Sequence, residues 1–141
     1  MLKLFSNRRG STEIIAFLLV LPLFLYPLWD GFNIFSDIHR YDIIKQAARQ
    51  GLLRMESQGG LTSADYNSLV SYLSGKGFAP ADLTIDYTPY PVDYGEDVII
   101  SIRYKYTKTR IGLRLTGLEK TREEAVMVCG PLQSTSKHYE R

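Results

Sequence analysis

The sequence predicts an α+β chain: one long amino-terminal helix, transmembrane first and amphipathic after, then a second short helix and a small antiparallel sheet of three to four strands. Three observations predict it. Residues 14–29, IIAFLLVLPLFLYPLW, form a run of sixteen positions without a charge. Apolar residues then recur at steps of three and four as far as Met55, and from Asp82 the period drops to two.

At a helical rise of about 1.5 Å per residue the uncharged run covers about 24 Å, against a hydrocarbon thickness of about 30 Å. Residues 11–13 on one side and 30–35 on the other extend it to a full span, embedded over 13–33. Lys3, Arg8 and Arg9 precede the run and Asp30 and Asp37 follow it, so the positive-inside bias keeps the amino terminus in the cytoplasm and the remainder outside. A secretory signal would end at a small-x-small cleavage site, whereas this run leaves through YPLWDGFNIF.

Ile34, Ile38, Tyr41, Ala48, Leu52 and Met55 continue the helical stripe, and Gly59 and Gly60 end it. Pro22 and Pro27 each remove an amide donor, which predicts bends within the span. Thr62 followed by Asp65 gives a capping-box-like start to a second helix that closes at Gly75 and Gly77. Leu83, Ile85 and Tyr87 share one face of a strand, and Val98, Ile100, Ile102, Tyr104 and Tyr106 share one face of the next. Residues 111–115 read as a weak strand or an irregular linker, and 123–130 as a final strand. The domain plan is a basic leader over 1–10, the long helix over 11–58, an extracytoplasmic α+β domain over 59–132 and a mobile tail over 133–141.

Three short stretches in order, RRGSTE at 8–13, LVLPLF at 19–24 and QAARQG at 46–51, resemble the amino-terminal half of TadE/TadG-like pseudopilins of tight-adherence pilus systems, within the wider class of type IV pilin subunits. The resemblance covers about fifty residues and implies a pilin-like lollipop fold. It also implies cleavage by a prepilin peptidase between Gly10 and Ser11, insertion through a pilus assembly platform, and packing among membrane lipid and other pilin-like subunits. In such assemblies the freed amine of one subunit pairs with a glutamate of its neighbour, which makes Glu13 the implied register charge: a carboxylate entering a bundle recovers its desolvation cost only opposite that amine. Glu13 would be third after the cut where the family pattern usually has the glutamate fifth, a displacement of about 200° around a helix. The function implied is that of a minor pseudopilin in a bacterial pilus or a related secretion or conjugation apparatus.

The composition narrows the alternatives. Of 17 Lys and Arg residues three lie in the first ten positions, leaving 14 against 15 acids, so the rest of the chain has no overall basic character and no nucleic acid is expected as a partner. One cysteine, Cys129, excludes an internal disulfide and any multi-cysteine zinc site; among apolar neighbours it reads as a small buried hydrophobe. His39 and His138 fit no metal or catalytic spacing, and Asp86, Asp93, Glu96 and Asp97 lack the calcium-loop spacing and read as solvated turn residues. With no nucleophile elbow or phosphate-cradling loop, neither catalysis nor a cofactor is expected. Arg103, Lys105, Lys108, Arg110 and Arg114 put five cations into twelve residues. Alternation makes Arg103 and Lys105 the wet side of a strand; the other reading is an exported module that binds an anionic polymer or DNA. An uncleaved, single-pass anchored accessory domain is the further alternative.

Overall fold

The structure, a computed structural model, describes residues 8–114 and 117–138. Most of the expected leader, Leu115, and the last three residues of the expected tail lie outside these residues. The chain forms two compact units, Met1–Ile38 and His39–Arg141. Two helices and a three-stranded antiparallel sheet make it α+β, as the periodicities predict.

Helix α1 (Arg8–Gln58) contains 51 residues and carries Pro22 and Pro27 in its interior. Neither proline can donate to the carbonyl four residues before it, so Leu18 and Leu23 lose their usual intrahelical donors. The helix stops where the glycine pair predicts: the amides of Gly59 and Gly60 both reach the Met55 carbonyl, at 2.9 and 3.0 Å, and both residues have positive φ. Gly60 is also a close approach. A Cβ there would lie 2.7 Å from the Tyr90 backbone, so the crossing loop admits no side chain.

Helix α2 (Ser63–Gly75) starts at Thr62, whose hydroxyl oxygen accepts from the Asp65 amide at 3.2 Å. The Asp65 carboxylate accepts from Arg54 of α1 at 2.9 Å, tying the two helices at their polar edge. The capping-box reading holds: the Thr62 hydroxyl donates back to the Asp65 Oδ2 at 2.5 Å, while Oδ1 takes the cross-helix pair.

Strands β1 (Leu83–Tyr87), β2 (Asp97–Arg114) and β3 (Gly117–Thr135) lie in the order β1-β2-β3, every pair antiparallel. Residues 111–114, read from sequence as a weak strand or linker, are the end of β2, and the final strand is far longer than 123–130. The register slips between Ile100 and Ile102, where β3 inserts an extra residue between Leu132 and Cys129. Gly130 supplies it, with φ of 108° and a Cβ position only 2.8 Å from the Ile100 carbonyl.

The tail expected to be mobile from Gln133 is ordered through His138. Residues 133–135 belong to β3, Ser136 exchanges backbone hydrogen bonds with Gly95 and Glu96, and the Lys137 amide donates to the Glu56 carbonyl. The reason is visible in the residue types. The inward positions Ser134 and Ser136 are held by hydrogen bonds rather than by apolar contact, so a search for apolar alternation passes over them.

One face of the sheet is covered. Val98, Ile100, Ile102, Tyr104, Met127 and Cys129 join Ile44, Ala47, Ala48 and Met55 of α1, Leu69 and Leu73 of α2, and Phe78 in a single core. Of the stripe read from sequence, Ala48 and Met55 are buried and Leu52 half-buried, while Ile34, Ile38 and Tyr41 are exposed. The buried side is centred on Ala47, Ala48 and Gly51, where small residues let the sheet come close: a Cβ on Gly51 would lie 2.7 Å from Ile100 Cδ1. The QAARQG stretch is thus the helix face onto which the sheet packs.

Candidate functional site

The first candidate surface is the apolar stretch of α1. Its large apolar residues between Ile14 and Trp29 are 37–70 % exposed, a pattern opposite to that of a soluble core helix. Among the described residues α1 is the helix long and apolar enough to cross a membrane. Gly10 and Ser11 fall within its first turn, so the implied cleavage position has helical backbone. Glu13 is exposed immediately before the uncharged run.

The second candidate is the cation group read from the strand. Regular pairing from Ile102 onward puts Arg103 and Lys105 on one face of β2 and Lys108 and Arg110 on the other, while the Arg114 side chain lies outside the described ones. They do not form one patch. Arg103 pairs with Asp86 of β1 at 3.0 Å, and Arg110 Nε lies 3.7 Å from the Glu123 carboxylate. Lys108 stands opposite Glu123 in the ladder, and Lys105 borders an open cleft of about 440 Å³ with Arg40, Asp82, Tyr106 and Glu124. The Arg40 guanidinium lies 5.8 Å from the centre of the Tyr106 ring, a cation–π contact at the edge of the covered part of the sheet. Cations and acids alternate around this cleft, which leaves it without a field of one sign.

No group of three or more metal-ligating side chains occurs among the described residues. Asp86 is engaged by Arg103, and Asp97 accepts from Gln133 at 2.8 Å, so the acids around the β1–β2 connection are spread along the sheet edge instead of converging. Cys129 is 2 % exposed, and burial pushes its thiol up against the opposing influence of Lys45, Arg49 and a hydrogen bond with Tyr41. A raised thiol is a poor nucleophile, in keeping with its packing role.

Sequence reading missed the clasp between the end of α1 and the end of the chain. Glu56 accepts from Lys137 Nζ at 3.3 Å, and its carboxyl is held below the ordinary value of 4.5, chiefly by a hydrogen bond from Ser134 and then by Lys137, against partial desolvation. Eighty-one positions separate Glu56 from Lys137, too far for any local pattern. Because the folded value is depressed, the clasp contributes its full stability above the ordinary glutamate value and loses it as pH falls through the folded value. The denaturation midpoint of wild type should therefore exceed that of Glu56→Gln at pH 7, with the gap closing between pH 5 and 3. A gap independent of pH over that window would remove the ionised clasp.

No protein-family model matches the chain, and no curated protein or solved structure does either.

Proposed function

We propose that this chain is a non-enzymatic, pseudopilin-like membrane subunit, single-pass with its amino terminus in the cytoplasm, that takes part in building a bacterial pilus or a related secretion or conjugation apparatus. The observation that carries the reading is the uncovered apolar stretch 14–29 on a helix whose other end enters the core of an α+β unit. A soluble chain would hide that surface, whereas an assembling one offers it to lipid and to copies of itself or related subunits. The ordered stretches RRGSTE, LVLPLF and QAARQG support the same class, and the buried Ala47, Ala48 and Gly51 give the last of them a packing role. In this reading a prepilin peptidase cuts after Gly10, and Glu13 tests register against a neighbour's new amine.

Mass spectrometry of the protein recovered from bacterial membranes tests it. A mature chain that begins at Ser11 is expected. A chain beginning at Met1, or one cut beyond Trp29, would overturn the processing claim and, in the second case, the anchor as well. The position of Glu13, third after the implied cut, favours one rival: an uncleaved anchor that never assembles. Glu13→Ala separates the two, since an anchor tolerates losing the charge while an assembling subunit loses incorporation into the apparatus.

A further inference from the structure

We propose that the free edge of β3 over residues 125–129 is a docking site for an extended segment of a different chain, one that carries acidic residues two positions apart with an apolar residue between them. The inference uses residues of the His39–Arg141 unit alone and goes beyond the reading of α1 as a membrane span. In the order β1-β2-β3 the strand β3 has a partner on one side only, and among the described residues no backbone hydrogen bond from outside the sheet reaches 119–133. Its outer row of amides and carbonyls is a template for one more strand. Charges guard the first part of that edge, at Glu119, Lys120, Arg122, Glu123 and Glu124. They stop there: AVMVC at 125–129 has none, and Val126 and Val128 are 56 and 48 % exposed on the face away from the helices. Gly130 and Pro131 close the window, the first by its bulge and the second by its lack of an amide donor.

The helix beside this window sets the charge of the guest. Tyr41 of α1 forms a hydrogen bond with the Cys129 thiol, and Lys45 and Arg49 both act on that thiol electrostatically, so these three residues stand along the β3 side of the helix. On the other side of the same helix Arg54 pairs with Asp65 of α2, away from this edge. Met127 and Cys129 point toward the helices, where both are buried. An added strand therefore turns the side chains beside Met127 and Cys129 toward Lys45 and Arg49, and those beside Val126 and Val128 to the opposite face.

Spacing converts that placement into a sequence preference. Lys45 and Arg49 are one helical turn apart, about 6 Å at a rise of about 1.5 Å per residue. Alternate residues of a strand share a face and are about 6.6 Å apart. The two periods agree to within about 1 Å, so a carboxylate at every second position of the guest meets one cation each. The intervening apolar residue then lies beside the exposed valines. Main-chain hydrogen bonds supply affinity, and the two carboxylates supply selection and a dependence on salt. A second copy of this chain does not fit the description, because none of its 15 acidic residues stands two positions from another. The guest is a different protein.

The test uses the full chain in detergent and three fluorescein-labelled synthetic peptides: SVEVEVS, its isomer SEEVVVS with the acids adjacent, and SVEVEVS N-methylated throughout. Fluorescence anisotropy at low salt is expected to show SVEVEVS binding at least tenfold more tightly than the isomer, and no binding of the N-methylated peptide. The tenfold preference should vanish when Lys45→Gln and Arg49→Gln are combined, with the urea midpoint unchanged because both side chains lie outside the core. Equal affinity for the two isomers, a preference that survives the loss of both cations, or binding of the N-methylated peptide would overturn the proposal. So would a disulfide between two copies of Val126→Cys, in a Cys129→Ala background, that SVEVEVS does not prevent, since a second copy would then hold the edge. Each of these failures leaves the membrane reading of α1 standing, because membrane flotation tests that reading separately.

Discussion

Replacing Leu21 and Leu25 together by lysine is expected to strip the full chain from the membrane fraction. Leu21 is at the middle of the uncharged run, Leu25 one turn beyond it, and both are exposed along the helix, so a new ammonium would meet hydrocarbon. A lysine near the centre of a span costs roughly 2.5–3.5 kcal/mol on an insertion scale. Snorkelling along its aliphatic stem recovers part of this for Leu25→Lys, leaving roughly 4 kcal/mol for the pair, about a thousandfold in the insertion equilibrium. Flotation and alkaline extraction measure the outcome, with Leu21→Ile and Leu25→Ile as the volume-matched control. Should the lysine pair float with the membranes as the control does, the stretch is not a span. Glu13→Ala makes the contrast: it should stay in the membrane fraction, because it removes a charge from the threshold and adds none.

The same physical asymmetry decides what the sequence disclosed. Strand β1 and the first half of β2 pack one face on helices and leave the other wet, so their period of two is written plainly in Leu83, Ile85 and Tyr87 and in Val98 through Tyr106. Past Tyr106 the described positions 107–110 and 119–124 are half-buried or exposed and all polar, so the alternation that would betray a strand fades there and the start of β3 is invisible. The carboxyl end hides for a second reason, since its inward positions are the hydroxyls of Ser134 and Ser136. Gly59 and Gly60 were legible as a helix stop because their backbone role is local. Gly51 was not: only the approach of a strand about fifty residues away gives a glycine in mid-helix its use. Among the candidate site residues, Arg103 and Lys105 share a stretch of sequence with Lys108 and Arg110 but not a face, because spacing along a strand assigns odd and even positions to opposite sides.

Ile100→Ala should be the most costly single truncation in the α+β unit, and Gly51 gives a way to prove why. Ile100 is 0 % exposed in the central strand, paired with Tyr87 of β1 and Leu132 of β3, and its Cδ1 lies where a side chain on Gly51 would begin. Truncation removes the methyls and leaves a void beside a helix position with nothing to fill it, a loss of about 3–4 kcal/mol. Gly51→Ala alone sets two effects against each other. The new methyl crowds Cδ1 at 2.7 Å, while exchanging glycine for alanine in a helix interior gains about 1 kcal/mol, so the single variant should remain within about 1 kcal/mol of wild type. In the double variant the crowding is gone and the methyl occupies part of the void. The pair should then cost about 1 kcal/mol less than the two changes added together, a coupling readable by urea unfolding of the full chain in detergent. Strict additivity would mean that α1 and β2 do not share that volume, and the packing account of the Ala47, Ala48 and Gly51 face would go with it.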